Sequence, residues 1–358
     1  MDYKFNFHVE TFHKVIRKIS QIDYYKGKWE PIYKKESRYQ RKLRQEAMIS
    51  RVGASLRLEH GAYSDNEIAA LLGRTNIADL PEEEDRLVMG YKEAVELVFR
   101  YYEEMALDQQ QISALHSMMY KYSRAKPLEA EGMVSKKIVV TYEGSDQEMG
   151  FTAPRSFQVV REMAELMQWF QHAWEDQYLH PLLLTAAFAY EWLSIDPFEK
   201  GNLPLGNLLT NLCLLQSGYS FIHYVAFEPM MENRMLEFRQ ALGAAQQYRG
   251  TDREVIDEWV LYFLQTLELS LKQLEHLQAT GKDKGSYLND RQKQILEYIR
   301  LHQPIKIGDI HHYFGSISRN TIKKDLQYFL AEELLEKIGH RKGTVYVTRD
   351  EAESSLFI

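Results

Sequence analysis

The chain has 358 residues, too many for one small core and enough for two or three domains. Hydrophobic residues make up 45% and charged residues 27%, as in ordinary soluble globular proteins, and a net charge of -7 excludes nucleic-acid binding over the whole surface while leaving room for a local basic patch. The single cysteine, Cys213, excludes an internal disulfide, and the lack of any long apolar stretch or signal core makes the cytoplasm the expected compartment, with no membrane partner. In chain order, Ile32 to Leu58 carries a polar-charged helix pattern with apolar residues at Leu43, Ala47 and Val52. Its basic run from Lys34 to Arg44 reads as a solvated face, with nucleic-acid contact as the alternative. Ser64-Asp-Asn-Glu67 fits a capping box for a short helix, Ile68 to Leu72. Pro81-Glu-Glu-Glu-Asp85 opens a helix with Val88, Tyr91, Ala94, Val95 and Val98 on one face, and another is predicted from Gln109 to Tyr122.

The segment from Lys136 to Ala153 breaks this pattern. Lys136 to Tyr142 is β-branched, Glu143-Gly-Ser-Asp146 is a turn, and Met149 to Thr152 returns, which predicts a β-hairpin. Helices are expected again at Ser156–Gln177, His180–Ser194, Gly206–Ser217, Pro229–Gln247 and Arg253–Leu277. Gly281 to Ser286 reads as a polar linker. Cys213 sits in an apolar run and reads as a small buried hydrophobe. His8, His13, His172, His180 and His223 lack ligand spacing, so no metal site is expected.

Beyond the linker come helices at Asp290–His302, Ile307–Phe314 and Arg319–Glu332, the last capped by Ser318, then Leu334–Ile338, a basic turn, and Thr344–Thr348. From Leu288 to Thr348 this resembles a winged helix-turn-helix. Arg319, Asn320, Lys323 and Lys324 would then face DNA from the recognition helix, and Arg341 and Lys342 would meet phosphate from the wing. Docking of a protein is the open alternative.

Asp196-Pro-Phe-Glu-Lys-Gly-Asn-Leu-Pro-Leu-Gly-Asn207 lies between two predicted helices. It resembles the signature His-Pro-Phe-x-Asp/Glu-Gly-Asn-Gly-Arg-x-x-Arg of the Fic (Fido) family, with Pro197, Phe198, Gly201 and Asn202 in register. Ser55 and Glu59 match that family's inhibitory helix, Ser/Thr-x-x-x-Glu-Gly/Asn, while His60 departs from it. The hairpin 138–151 falls where the family places a flap that holds a target protein by strand addition. The resemblance spans Phe5 to Leu277. It implies a mainly α fold: a Fic helical domain (86–280) after an N-terminal extension (1–85), with a β-hairpin flap and a C-terminal winged helix-turn-helix (287–350).

The resemblance also implies transfer of AMP from ATP to a protein hydroxyl, with Mg²⁺ as cofactor. This sequence departs from the parts that do so. The catalytic position is Asp196, a weaker base than histidine. The metal-holding acid is Lys200, the second glycine Leu203, the first arginine Pro204 and the second Asn207, which leaves Glu59 without its arginine partner. Phe198, Lys200, Gly201, Asn202, Leu203 and Asn207 carry over as the nucleotide-facing positions. Asp196 has two readings, a base or metal ligand supported by Lys200, or a cap on the turn before Pro197. Two functions follow: a regulatory or binding module without ordinary AMP transfer, or a nucleotidyl or phosphate-moiety transferase with altered chemistry. A small-molecule sensor in the old nucleotide cleft and a homodimer stay open beside them.

Overall fold

Helix-period apolar spacing gives a mainly helical molecule, and the computed structural model describes residues 7, 9–34, 38–60, 63–74, 80, 82–123, 139–140, 149–150, 156–284, 288–332, 334–339 and 343–348. The chain forms two compact units, Met1–Lys35 with Leu43–Leu274, and Glu36–Lys42 with Glu275–Ile358.

In the first unit, α1 (Val9–Lys34) buries Val15, Ile22 and Trp29, which recur every two turns. That sparse stripe hides α1 from a search for apolar residues three and four apart. The helix expected from Ile32 is a correction: Ile32 belongs to the end of α1, and α2 is Arg38–His60. Before α3 (Asp65–Leu72), the Ser64 Oγ accepts from the Glu67 N–H and the Glu67 carboxylate accepts from the Ser64 N–H, the expected capping box. Such a cap contributes about 1 kcal/mol.

All five predicted apolar residues of α4 (Glu83–Tyr101) are buried, and α5 (Gln109–Met119) starts on Asp108, whose carboxylate accepts from the Gln111 N–H at 2.7 Å. These two helices touch at Gly90, where a Cβ would stand 2.1 Å from the Met119 carbonyl oxygen. The hairpin consists of β1 (Val139–Val140) and β2 (Met149–Gly150), antiparallel, with Val139 opposite Gly150. The rest of 138–151 lies outside the described residues.

Next come α6 (Ser156–Asp176), α7 (Pro181–Ile195) and α8 (Asn202–Gln216). The α7–α8 pair forms the centre of the core, with Leu182, Phe188, Trp192, Leu205, Leu209 and Leu212 all fully buried. Each such side chain contributes about 1.5–3 kcal/mol of burial. Gly206 lets the pair close, because a Cβ there would lie 2.5 Å from the Trp192 ring. Helix α8 begins four residues earlier than expected, since Pro204 falls in its first turn, where no intrahelical N–H is needed. The single helix expected over Pro229–Gln247 is two, α9 (Glu228–Asn233) and α10 (Met235–Gln246), separated at Arg234. Helix α11 (Asp257–Lys284) runs through Gly281, into the segment expected as linker.

The second unit holds α12 (Asp290–His302), α13 (Ile307–Tyr313), α14 (Arg319–Ala331) and the antiparallel pair β3 (Leu335–Ile338) and β4 (Val345–Thr348), Leu335 opposite Thr348. Ile295, Ile299, Ile310, Ile322, Leu326 and Phe329 form its core. Arg291 grips the buried Asp325 carboxylate with two nitrogens at 2.9 and 3.1 Å. The Tyr39 hydroxyl donates to the Leu277 carbonyl, which ties 36–42 to this unit. No helix among the described residues is long and apolar enough to cross a membrane.

Candidate functional site: the signature loop and the recognition helix

Arg51, Ser55 and Glu59 recur every four residues and so line one face of α2. Arg51 is fully buried. It donates to the carbonyls of Ile222 (2.7 Å) and Val225 (3.0 Å), stacks over Phe99 at 4.2 Å and lies 3.5 Å from the buried Glu228 carboxylate. Burial draws both charges toward neutrality, with the pKa of Arg51 lowered and that of Glu228 raised. Asn211 also donates to Glu228, at 2.7 Å. One turn on, the Ser55 Oγ accepts from the Asn207 side-chain amide at 3.4 Å. At the last turn, Arg57 forks onto Glu232 (2.6 and 2.9 Å) and reaches Asp65 (2.9 Å), anchoring the end of the helix.

This anchoring presents Glu59 to the loop. Its Oε1 accepts from the Gly201 N–H at 2.6 Å, at the start of α8, where the helix dipole favours an anion. Gly201 takes φ +83°, and a Cβ there would stand 2.8 Å from the Tyr120 hydroxyl. That hydroxyl is buried with no hydrogen-bond partner among the described residues. Burial and then the Glu59 charge push its pKa up.

The loop is braced from within and from outside. The Phe198 N–H donates to the Asn202 Oδ1 (2.9 Å), and the Asn202 amide donates back to the Phe198 carbonyl (2.5 Å). The Trp192 Nε1–H donates to the Asn202 carbonyl at 2.7 Å, and the Tyr91 hydroxyl to the Pro204 carbonyl at 3.0 Å. His116 lies flat on the Phe198 ring, with centroids 3.9 Å apart and planes 7° apart. Its Nε2 is 2.9 Å from the Lys200 carbonyl, which only accepts, so Nε2 carries the proton. Burial lowers the His116 pKa and favours the neutral ring.

Each loop position named from the sequence lies among the described residues. Asp196 is the C-cap of α7, half-buried in the left-handed region at φ 50°, with its N–H donating to the Trp192 carbonyl at 3.1 Å. Lys200 and Glu199 are exposed. Leu203 is helical, and the glycine with positive φ is Gly201. Pro204 and Asn207 are buried. Glu59, expected to lack an arginine partner, takes the Gly201 N–H. Sequence patterning singles out neither His116, Tyr120 nor Arg51; His116 lies in α5 and Tyr120 caps its end, some eighty residues before the loop, and they leave no local pattern there. Cys213 is fully buried, and burial pushes its thiol pKa up.

In the second unit Arg319, Asn320, Lys323 and Lys324 are all exposed on α14, with Ile322, Asp325 and Leu326 buried on its other face. The Ser318 Oγ accepts from the Thr321 N–H at 3.2 Å and caps the helix. Arg341 and Lys342 lie outside the described residues.

Residues 106–214 match the Fic/DOC family, and residues 291–345 match the DeoR-like helix-turn-helix domain. A Fic family protein from Desulfovibrio desulfuricans G20 is similar over 97% of this chain and 98% of its own, at 18% identity and a TM-score of 0.63. A Fic domain containing signaling protein from Bacteroides thetaiotaomicron VPI-5482 is similar over 74% of this chain and 97% of its own (16% identity, TM-score 0.54), and Fic-1 from C. elegans over 76% and 73% (16% identity, TM-score 0.55). No curated protein matches. The chain thus carries a Fic/DOC family domain, on a mainly helical Fic fold with a small β-hairpin, followed by a DeoR-like helix-turn-helix domain.

Proposed function

We propose that this protein is a binding or regulatory module on the Fic fold, without ordinary AMP transfer, and that its helix-turn-helix unit contacts DNA. The observation that carries the first part is the 2.6 Å bond from the Gly201 N–H to Glu59, which puts the protein's own carboxylate where the loop would receive an anion. The remaining residues do not fit a magnesium triphosphate. Lys200 stands at the metal-holding position, Pro204 brings neither charge nor N–H, and Asn207 is turned to Ser55. The test is incorporation of radiolabelled AMP from ATP into the chain itself or into lysate proteins. Neither the wild type nor Glu59→Ala is expected to show any. Incorporation that Asp196→Ala abolishes would overturn the reading.

The DNA reading rests on the four exposed side chains of α14 and on the DeoR-like match. Lysines and Arg319 would neutralise phosphates, and Asn320 is the residue type that reads adenine. Lys323→Glu is expected to weaken binding to genomic fragments at every sequence and to flatten its salt dependence. Unchanged binding would point instead to protein docking.

A second reading is a transferase with altered chemistry, favoured by the exposed Lys200 and the half-buried Asp196 at the entry to the loop. In it the 138–151 flap would hold the target protein, with ATP and Mg²⁺ as cofactors. Calorimetry with Glu59→Ala separates the two readings: binding of a nucleotide at millimolar concentration supports this one, and its absence counts against it.

A further inference from the structure

The C-terminal end of α8 opens into a cleft of about 660 Å³, within the range of ligand-binding sites. Helix α8 is fifteen residues long, so this end lies about 22 Å from Gly201 at its start. Phe170, Trp174 and Tyr102 supply aromatic walls, with the first two rings stacked at 5.7 Å and 24°. Glu103, Asp108 and Glu175 bring three carboxylates, and among the described residues no lysine, arginine or histidine lines the cleft. Lys26, whose ammonium lies 4.9 Å over the Tyr219 ring, stands beside the Gly218 corner without lining it.

The carboxylates have neutral donors. Glu103 accepts from the Tyr102 hydroxyl (3.2 Å), Asp108 from the Gln111 N–H (2.7 Å) and Glu175 from the Gln171 amide (3.0 Å). None of the three forms an ion pair with another described residue. Three of the four helix ends at the cleft add to the same sign, and the fourth, the start of α5 on Asp108, opposes them. Tyr102 follows the last residue of α4, Glu175 is in the last turn of α6 and Gln216 closes α8, so three negative dipole ends meet at the cleft. The Gln216 amide donates to the carbonyls of Tyr102 (2.8 Å) and Met105 (2.6 Å), which holds the 102–108 loop against α8.

We propose that this cleft docks a basic peptide segment of a partner protein, its arginine or lysine side chains held by Trp174 and by the Glu103, Asp108 and Glu175 carboxylates. An aromatic face beside carboxylates suits a guanidinium or ammonium group. The carboxylates are exposed, so each pair contributes little alone, and several cations on one chain are needed to occupy the site. Nucleic acid is excluded by like charge. The proposal is independent of what the signature loop binds.

The test is fluorescence anisotropy of a labelled hexa-arginine peptide with the full chain. Saturable binding is expected, weakened at least about tenfold by Glu103→Lys with Glu175→Lys. Glu237→Lys with Glu258→Lys changes the net charge equally on exposed residues outside the cleft and is expected to leave binding within about twofold. Trp174→Leu is expected to weaken binding severalfold. Equal loss in both double variants, equal affinity for spermidine, or no saturable binding would overturn the proposal. Hydrogen exchange on the wild type supplies a readout free of folding effects: the peptide should slow exchange at 102–108, and no slowing there would also overturn it.

Discussion

Gly201 meets two demands at one position. Its backbone takes φ +83°, and its Cα faces the Tyr120 hydroxyl so closely that a Cβ would stand 2.8 Å away. Alanine is therefore expected to destabilise the first unit by about 1–3 kcal/mol, read as a fall in urea midpoint. Gly250 has a similar φ, +77°, and open space around it, so Gly250→Ala is the control that isolates the backbone part of that cost. At this scale the sequence shows the loop's own letters well. Phe198 and Asn202 stand out in the sequence, and the structure shows them bonded to each other across the loop. What it does not show is the scaffold behind the loop. His116 and Tyr120 act on residues some eighty positions away, and no spacing rule links them.

At the scale of the helix, α2 contributes by a single face. Arg51 is buried against Glu228, so Arg51→Ala leaves a buried carboxylate without its cation and is expected to cost about 3–5 kcal/mol. Arg51→Met together with Glu228→Leu should recover most of that loss, since apolar pairs of similar size replace buried ion pairs at little cost. Chemical denaturation of the two variants checks both outcomes. If the single variant were as stable as the wild type, the pair would have no part in fixing α2. The sequence pattern finds α2 through its apolar residues, yet this polar stripe carries the helix's contacts to the loop. Elements were legible where caps and stripes coincide, as at Ser64, Asp108 and Ser318. They were misjudged where one proline or one irregular residue sets the boundary, as at Pro204 and Arg234.

For the whole molecule, acid is the informative stress. His223 is buried, stacks on Tyr33 at 4.6 Å and has its pKa lowered from 6.5 to about 3, by burial first and then by Arg44 and Arg51. Burial lowers His116 as well. A depressed histidine binds its proton more readily once unfolded. Its stabilising contribution is thus complete above about pH 6.5 and is lost as pH falls toward its folded value. Burial raises Glu191 and Glu228, and these act in the opposite sense, losing stability as pH rises through their folded values. The urea midpoint is expected to fall between about pH 6.5 and about pH 4, and His223→Leu should flatten that fall. An unchanged slope in the variant would remove His223 from the account. The two-part architecture was legible from the restart of periodicity after Leu288, whereas the continuation of α11 to Lys284 was not, because glycine and lysines read as linker until a helix already in progress carries through them.

Glu59 belongs to the final turn of α2, one residue before the helix ends at His60. Helix ends open far more often than cores do. The Gly201 amide proton therefore answers to that turn and not to the buried α7–α8 pair around it. Its exchange with deuterium should follow the breathing of α2, faster than at Leu209 or Leu212, and should quicken when Arg57 no longer pins the turn. A single backbone proton thus serves as a native-state gauge of how often the loop is uncovered, readable with no ligand added.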